Sequence, residues 1–333
     1  MKEVDVNPLI KKESLNKAFL DVIKTYTAGD PMNDDCLWTH LYPKKITELL
    51  FELHGIKASQ TVIKKLLQEN GFRRRKAEKK RTMTSVEHRD EQFENIKQLR
   101  QQYEQDGNPI ISVDTKKKEF IGNFYRAGYL YSQAPVKVND HDYPSAADGV
   151  VIPHGIYDLQ QNHGYIHIGT SYDTSQFACE SLLHWWTNEG LTLYPNATSI
   201  LILCDGGGSN SSHYYIFKEE LQKLVDKIGI EIRIAHYPPY CSKYNPIEHL
   251  LFPHVTRACQ GVIFKTVDIV KELIAQTKTS TGLKVNVEIF DKIYQKGRKA
   301  SDSFKENMTI IFDDYLSKWN YRAVPKNLST TVI

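Results

Sequence analysis

Apolar positions in the first hundred residues recur at helical spacing. In 44–54 (KKITELLFELH), Ile46, Leu49, Leu50 and Leu53 form a stripe and Gly55 ends it. Ser59 can cap a second helix, with Val62, Ile63, Leu66 and Leu67 as its apolar stripe and Gly71 at its close. Two short amphipathic helices joined by a tight turn predict a helix-turn-helix, inside a small α-helical region over 1–82. A polar stretch follows, with Phe93, Ile96, Leu99 and Tyr103 as a thin stripe, and predicts a linker helix within 83–107 that stops at Asp106-Gly107-Asn108-Pro109. Beyond Pro109 the period changes. The short runs IISVD (110–114), YIHIG (165–169), SILILCD (199–205) and IEIRIAH (230–236) predict strands, and 175–189 and 213–228 predict helices between them. This alternation predicts an α/β fold, a sheet flanked by helices, spanning 108–265. Trp185 and Trp186 read as core. The mixed, polar stretch 266–333 gives no role of its own.

Composition adds one asymmetry. Over 333 residues the formal charge is +3, yet residues 64–81 (KKLLQENGFRRRKAEKKR) alone carry +7 and leave −4 on the other 315. A concentrated basic segment beside a helix-turn-helix fits phosphate neutralisation, and it equally fits a solvated charged linker. In the first reading Gln60, Thr61, Lys64 and Lys65 face DNA while Arg73, Arg74, Arg75 and Lys76 hold its backbone. Five scattered cysteines without a CxxC pair argue against a disulfide framework or a zinc ribbon. No run approaches the roughly 18 apolar residues of a membrane span and no signal peptide is visible, so a cytoplasmic protein without membrane partners is expected.

Candidate chemistry sits at strand ends. Asp114 closes IISVD, and Asp205 closes SILILCD ahead of Gly206-Gly207-Gly208-Ser209-Asn210, a loop nearly free of side chains. Each aspartate alone could be a turn former or a helix cap. A third carboxylate, Glu248, lies in HYPPYCSKYNPIEHL (236–250), where Asn245 and Pro246 can start a helix. Asn245-x-x-Glu248 is also the spacing of a capping box, in which the glutamate only satisfies a backbone N–H. Taken together, three carboxylates repel one another unless divalent cations hold them, and two Mg²⁺ or Mn²⁺ ions about 3.5–4 Å apart support in-line phosphodiester displacement. Lys116, Lys117 and Lys118 could contact phosphates or simply be solvated. Asn210 and His249 adjoin the proposed ligands and are auxiliary candidates.

The strings SVDTKKKE (112–119), GIYDL (155–159), LLHWWTNEG (182–190), CDGGGSN (204–210), ELQKL (220–224) and SKYNPIEH (242–249) closely resemble the Rhodopirellula-type DDE transposases of bacterial insertion sequences. The resemblance runs from roughly residue 29 to residue 325. It implies an RNase H-like core and a DNA transposase that cleaves element ends and joins the freed 3′-hydroxyl to target DNA. It further implies that Asp114 bridges two metal ions while Asp205 and Glu248 bind one each, and that the active complex on double-stranded DNA is at least a homodimer, nucleoid-associated in its cell. Transposases of this type usually begin with a further helix-turn-helix region ahead of the matched part, and this chain starts close to where that region would end. Two other functions fit the same residues: an RNase H-like nuclease that never joins strands, and a transposase-derived DNA-binding protein.

Overall fold

The computed structural model describes residues 8–30, 33–39, 41–74, 86–130, 133, 135–139, 143–210 and 214–326. The chain divides into two compact units, Met1–Arg81 and Thr82–Ile333.

The first unit contains α1 (Pro8–Lys24), an antiparallel ribbon of β1 (Thr27–Asp30) and β2 (Asn33–Thr39), α2 (Pro43–His54) and α3 (Gln60–Glu69). Its core gathers Phe19, Val22 and Ile23 with Ile46, Leu50, Ile63 and Leu66. Gly55 ends α2 at φ 66°, and the Ser59 hydroxyl accepts the Val62 N–H at 3.3 Å to start α3. Two members of the expected stripes do not join this core. Leu53 is 63% exposed and Val62 39%, because the buried face is satisfied by i, i+3 and i+4 neighbours and each lies past its edge.

The second unit opens with α4 (Arg89–Gln105), followed by β3 (Ile110–Thr115), β4 (Glu119–Ile121), β5 (Gly149–Asp158), β6 (His163–Gly169), α5 (Ser175–Trp185), α6 (Leu191–Leu193) and β7 (Ser199–Cys204). It continues through α7 (Tyr215–Ile228), β8 (Glu231–His236), α8 (Pro246–Leu250), α9 (Phe252–Ala258), α10 (Val267–Ala275), β9 (Lys284–Phe290), α11 (Asp302–Glu306), β10 (Ile311–Phe312) and β11 (Asn320–Ala323). The strands form one mixed sheet in the order β10-β11-β8-β7-β3-β5-β6-β9, with β4 paired to β5. At its centre β3, β7 and β8 are parallel, while β5 runs antiparallel to both β3 and β6. The order β6-β5-β3-β7-β8 with an antiparallel second strand is the RNase H-like arrangement.

Strand alternation fixes the faces. Ile111, Val113, Ile200 and Ile202 pack with Trp185, Trp186, Phe217 and Leu221 under α5 and α7, so both tryptophans are core residues as expected. Ile110, Leu201 and Leu203 pack on the opposite face against Ile96, Leu99 and Tyr103 of α4. The helix expected as a linker is therefore part of the core, and the buried Gln92 amide of α4 donates to the His236 carbonyl at 2.9 Å. The sheet also runs past 265, the expected end of the core. Val285 and Val287 of β9 are buried with Ile166 and Ile168, and Tyr321 of β11 with Ile234. Among the described residues no helix is long and apolar enough to cross a membrane.

Candidate active site

Register brings the two aspartates together. Ser112 of β3 lies beside Leu203 of β7 and Val113 beside Cys204, so one step further Asp114 and Asp205 are neighbours at the same end of parallel strands. By parity both point to the face that carries α4 and α8 rather than to that of α5 and α7.

Glu248 reaches this face by a different device. Asn245 occupies the position before α8, but its side chain makes no cap there. Instead its oxygen accepts from the Ser112 hydroxyl at 2.5 Å and its amide donates to the Val113 carbonyl at 3.2 Å. The Ser112 oxygen in turn accepts the Ile247 N–H at 3.0 Å, so the first turn of α8 is capped by a residue of the strand that bears Asp114. The capping-box alternative is thereby replaced by a latch between helix and strand. Gly155, directly across β5 from Asp114, completes it: a Cβ there would lie 2.8 Å from Ile247 and 2.7 Å from Phe252. Only a glycine lets α8 and α9 lie this close to the sheet.

The electrostatics mark Asp114 as the common member. Burial pushes its carboxyl up to about 8, and the charge of Asp205 and the hydrogen-bonded Glu248 push the same way, against a Thr115 N–H donated at 2.7 Å. Among the described residues no group of three or more His, Cys, Asp or Glu is gathered as a cage for a metal ion. Asp205 and Glu248 are instead both neighbours of Asp114. The donor set is carboxylate oxygen throughout, which suits a hard divalent cation, and a cation would offset the burial of charge at Asp114.

Asp205 is held by its backbone. The buried His236 donates from Nδ1 to the Asp205 carbonyl at 2.9 Å, and its Nε2 accepts from the Tyr321 hydroxyl at 2.9 Å. The Asp205 carboxylate accepts the Gly207 N–H at 3.2 Å, and Gly208 turns the loop at φ 58°. A fourth carboxylate, unremarked in the sequence, stands beside it. Asp173 accepts from Thr115 Oγ1 at 3.2 Å, and burial, supported by the charge of Asp205, raises it above the usual range. A lone Asp ahead of a Thr174 helix cap carries no signal distinguishing it from loop chemistry.

Of the remaining candidates, Lys116 is folded onto Glu119 at 3.0 Å, whereas Lys117 and Lys118 are exposed. His249 is exposed, its Nδ1 3.3 Å from the Pro246 carbonyl. Gln60, Thr61, Lys64, Lys65, Arg73 and Arg74 are exposed on the first unit. Arg75, Lys76 and the Asn210 side chain lie outside the described residues.

Comparison with known proteins gives a family match over residues 18–325 to the Rhodopirellula transposase DDE domain. No curated protein matches the sequence. Among solved structures, the chain is similar to the Mos1 transposase paired-end complex with the left transposon end, at 17% identity, 82% of this chain and 72% of that one, and a TM-score of 0.42. The Mos1 strand transfer complex has 16% identity, 82% and 71% coverage and a TM-score of 0.43. The mariner Mos1 paired-end complex with Mg has 16%, 82%, 72% and 0.44. With TM-scores below 0.5, the fold assignment rests on the strand order above.

Proposed function

The chain belongs to the Rhodopirellula transposase DDE-domain family, and from that premise we propose that it hydrolyses a phosphodiester at the ends of a DNA element and transfers the freed 3′-hydroxyl into target DNA. The observation that carries this reading is Asp114 as the shared neighbour of Asp205 and Glu248 on one face of the sheet. In it, Asp114, Asp205 and Glu248 would hold Mg²⁺ or Mn²⁺, two ions per site, with Asp114 serving both. Bound there, the ions would supply activation of the attacking oxygen and stabilisation of the leaving one.

The protein's own part is positioning. β3 and β7 set two carboxylates by backbone register, the Ser112–Asn245 latch sets the third, and the glycine loop after Asp205 leaves room for a DNA backbone. Gln60, Thr61, Lys64, Lys65, Arg73 and Arg74 hold double-stranded DNA, and the exposed Lys117 and Lys118, just past Asp114 in the chain, contact phosphates. Joining two ends in one reaction calls for at least two copies of the chain. The test uses labelled duplexes carrying the inverted repeats that flank the gene, with Mg²⁺. Nicking and strand-joined products support the reading, hydrolysis without joining reduces it to a nuclease, and binding without any cutting refutes it.

A further inference from the structure

A cavity of about 630 Å³ opens beside the loop that follows Asp205, and the catalytic carboxylates do not account for it. Gly208, Ser209 and Asp173 form the wall it shares with the candidate active site. The segment 295–300, Gln-Lys-Gly-Arg-Lys-Ala, also lines it and turns at Gly297 with φ 73°. Tyr214 and Tyr215 stand at the start of α7 and are 58% and 50% exposed, with Lys218 Nζ over the Tyr215 ring at 6.0 Å from its centre.

The charges on this rim are not equivalent. Arg298 is committed to Glu220 at 2.9 Å and Lys305 to Asp302 at 2.8 Å. Lys296 and Lys299 are exposed, and Lys296 lies over the Tyr172 ring at 4.2 Å from its centre. Those two lysines carry the local positive excess.

Cations for a phosphate, aromatic faces for a base and a space of this size describe a nucleotide subsite. We infer that this cavity takes one or two unpaired nucleotides of the DNA strand leaving the cut site, with phosphate on Lys296 and Lys299 and base on Tyr214 or Tyr215. A duplex is too broad for it, and stacking on tyrosine tolerates any base, as a strand of arbitrary flanking sequence requires. The inference rests on the proposed DNA cleavage for its place in the reaction, but its binding is measurable without cleavage.

The experiment measures fluorescence anisotropy of a fluorescein-labelled 15-nucleotide single strand of mixed sequence, and of the matching duplex, with the full chain in EDTA. Lys296→Ala/Lys299→Ala should weaken single-strand binding at least tenfold and flatten its salt dependence. Tyr214→Ala/Tyr215→Ala should weaken it at least fivefold, and Tyr214→Phe/Tyr215→Phe should restore it. Lys278→Ala/Lys284→Ala removes equal charge from exposed positions in the loop before β9 and at its first residue, and should change binding less than twofold. Photo-crosslinking of a 5-iodouracil strand to Tyr214 or Tyr215 in the unaltered protein is expected as well, whatever the variants' stability. Single-strand affinities of both cavity variants within twofold of the control, or crosslinks confined to other residues, would overturn the inference. Wild-type protein that crosslinks through these tyrosines yet never nicks a duplex in Mg²⁺ would leave the subsite standing and defeat the cleavage reading alone.

Discussion

Asp205 and Glu248 flank the same aspartate, yet the chain holds them in opposite ways. Asp205 sits at the end of β7, a strand paired on both sides, and its backbone carbonyl is gripped by His236. Glu248 rides on a five-residue helix whose place over the sheet depends on two side chains, Ser112 and Asn245, and on the absence of one at Gly155. Backbone ladders distribute their restraint over many bonds, whereas a side-chain latch concentrates it in a few. The glutamate arm is therefore the fragile half of the site.

The sharpest way to break this contrast is Gly155→Val. Contacts at 2.7–2.8 Å must be relieved by moving α8 and α9 off the sheet, so cleavage should fall more than 100-fold. Nicking assays alongside a DNA-binding assay on the same preparation check it, and binding should be retained. Asn245→Ala comes next. It strips the Ser112 hydroxyl and the Val113 carbonyl of their buried partner, which costs about 1–3 kcal/mol in chemical denaturation. Nicking should fall about 10- to 100-fold as Glu248 loses its seat.

A pH series sharpens the comparison at its centre. In metal-free protein the protonated Asp114 is favoured by the fold, so its stabilising contribution is complete below the ordinary value of 3.8 and is lost as pH rises through about 8. The melting temperature in EDTA should drop by at least ~3 °C between pH 5 and pH 8.5, and Asp114→Asn should flatten that slope. The smallest effect is expected on the strand side. Tyr321→Phe removes the hydroxyl that donates to His236, costing about 1 kcal/mol and changing nicking less than threefold, because β7 still fixes Asp205. A loss as large as that of Asn245→Ala would erase the distinction between the two arms.

What the chain announced in advance follows the same division. Asp114 and Asp205 were legible because an unbroken apolar run that ends in an acid marks both a buried strand and its exit. The strand on the other side of β3, β5 (GVVIPHGIYD), carries no such mark, since its Pro153, His154 and Gly155 interrupt any period of two. β9 (KVNVEIF) alternates cleanly yet lies in a mixed, polar stretch, and only its parallel pairing with β6 reveals it as part of the sheet. Asn245 is ambiguous from its local sequence. Its local spacing to Glu248 satisfies a capping box, and nothing nearby in sequence discloses that its partner is Ser112, 133 positions earlier. Gly155 is similar: a glycine in a strand signals close approach, but which helix approaches is decided by the fold.

The central claim, that Asp114 is shared while Asp205 and Glu248 each serve one side, is tested most directly by Mn²⁺ binding, followed by electron paramagnetic resonance titration of the full chain. Wild type should bind two ions, Asp205→Asn and Glu248→Gln should each lose one, and Asp114→Asn should lose both. Wild-type stoichiometry in Asp114→Asn would contradict the account.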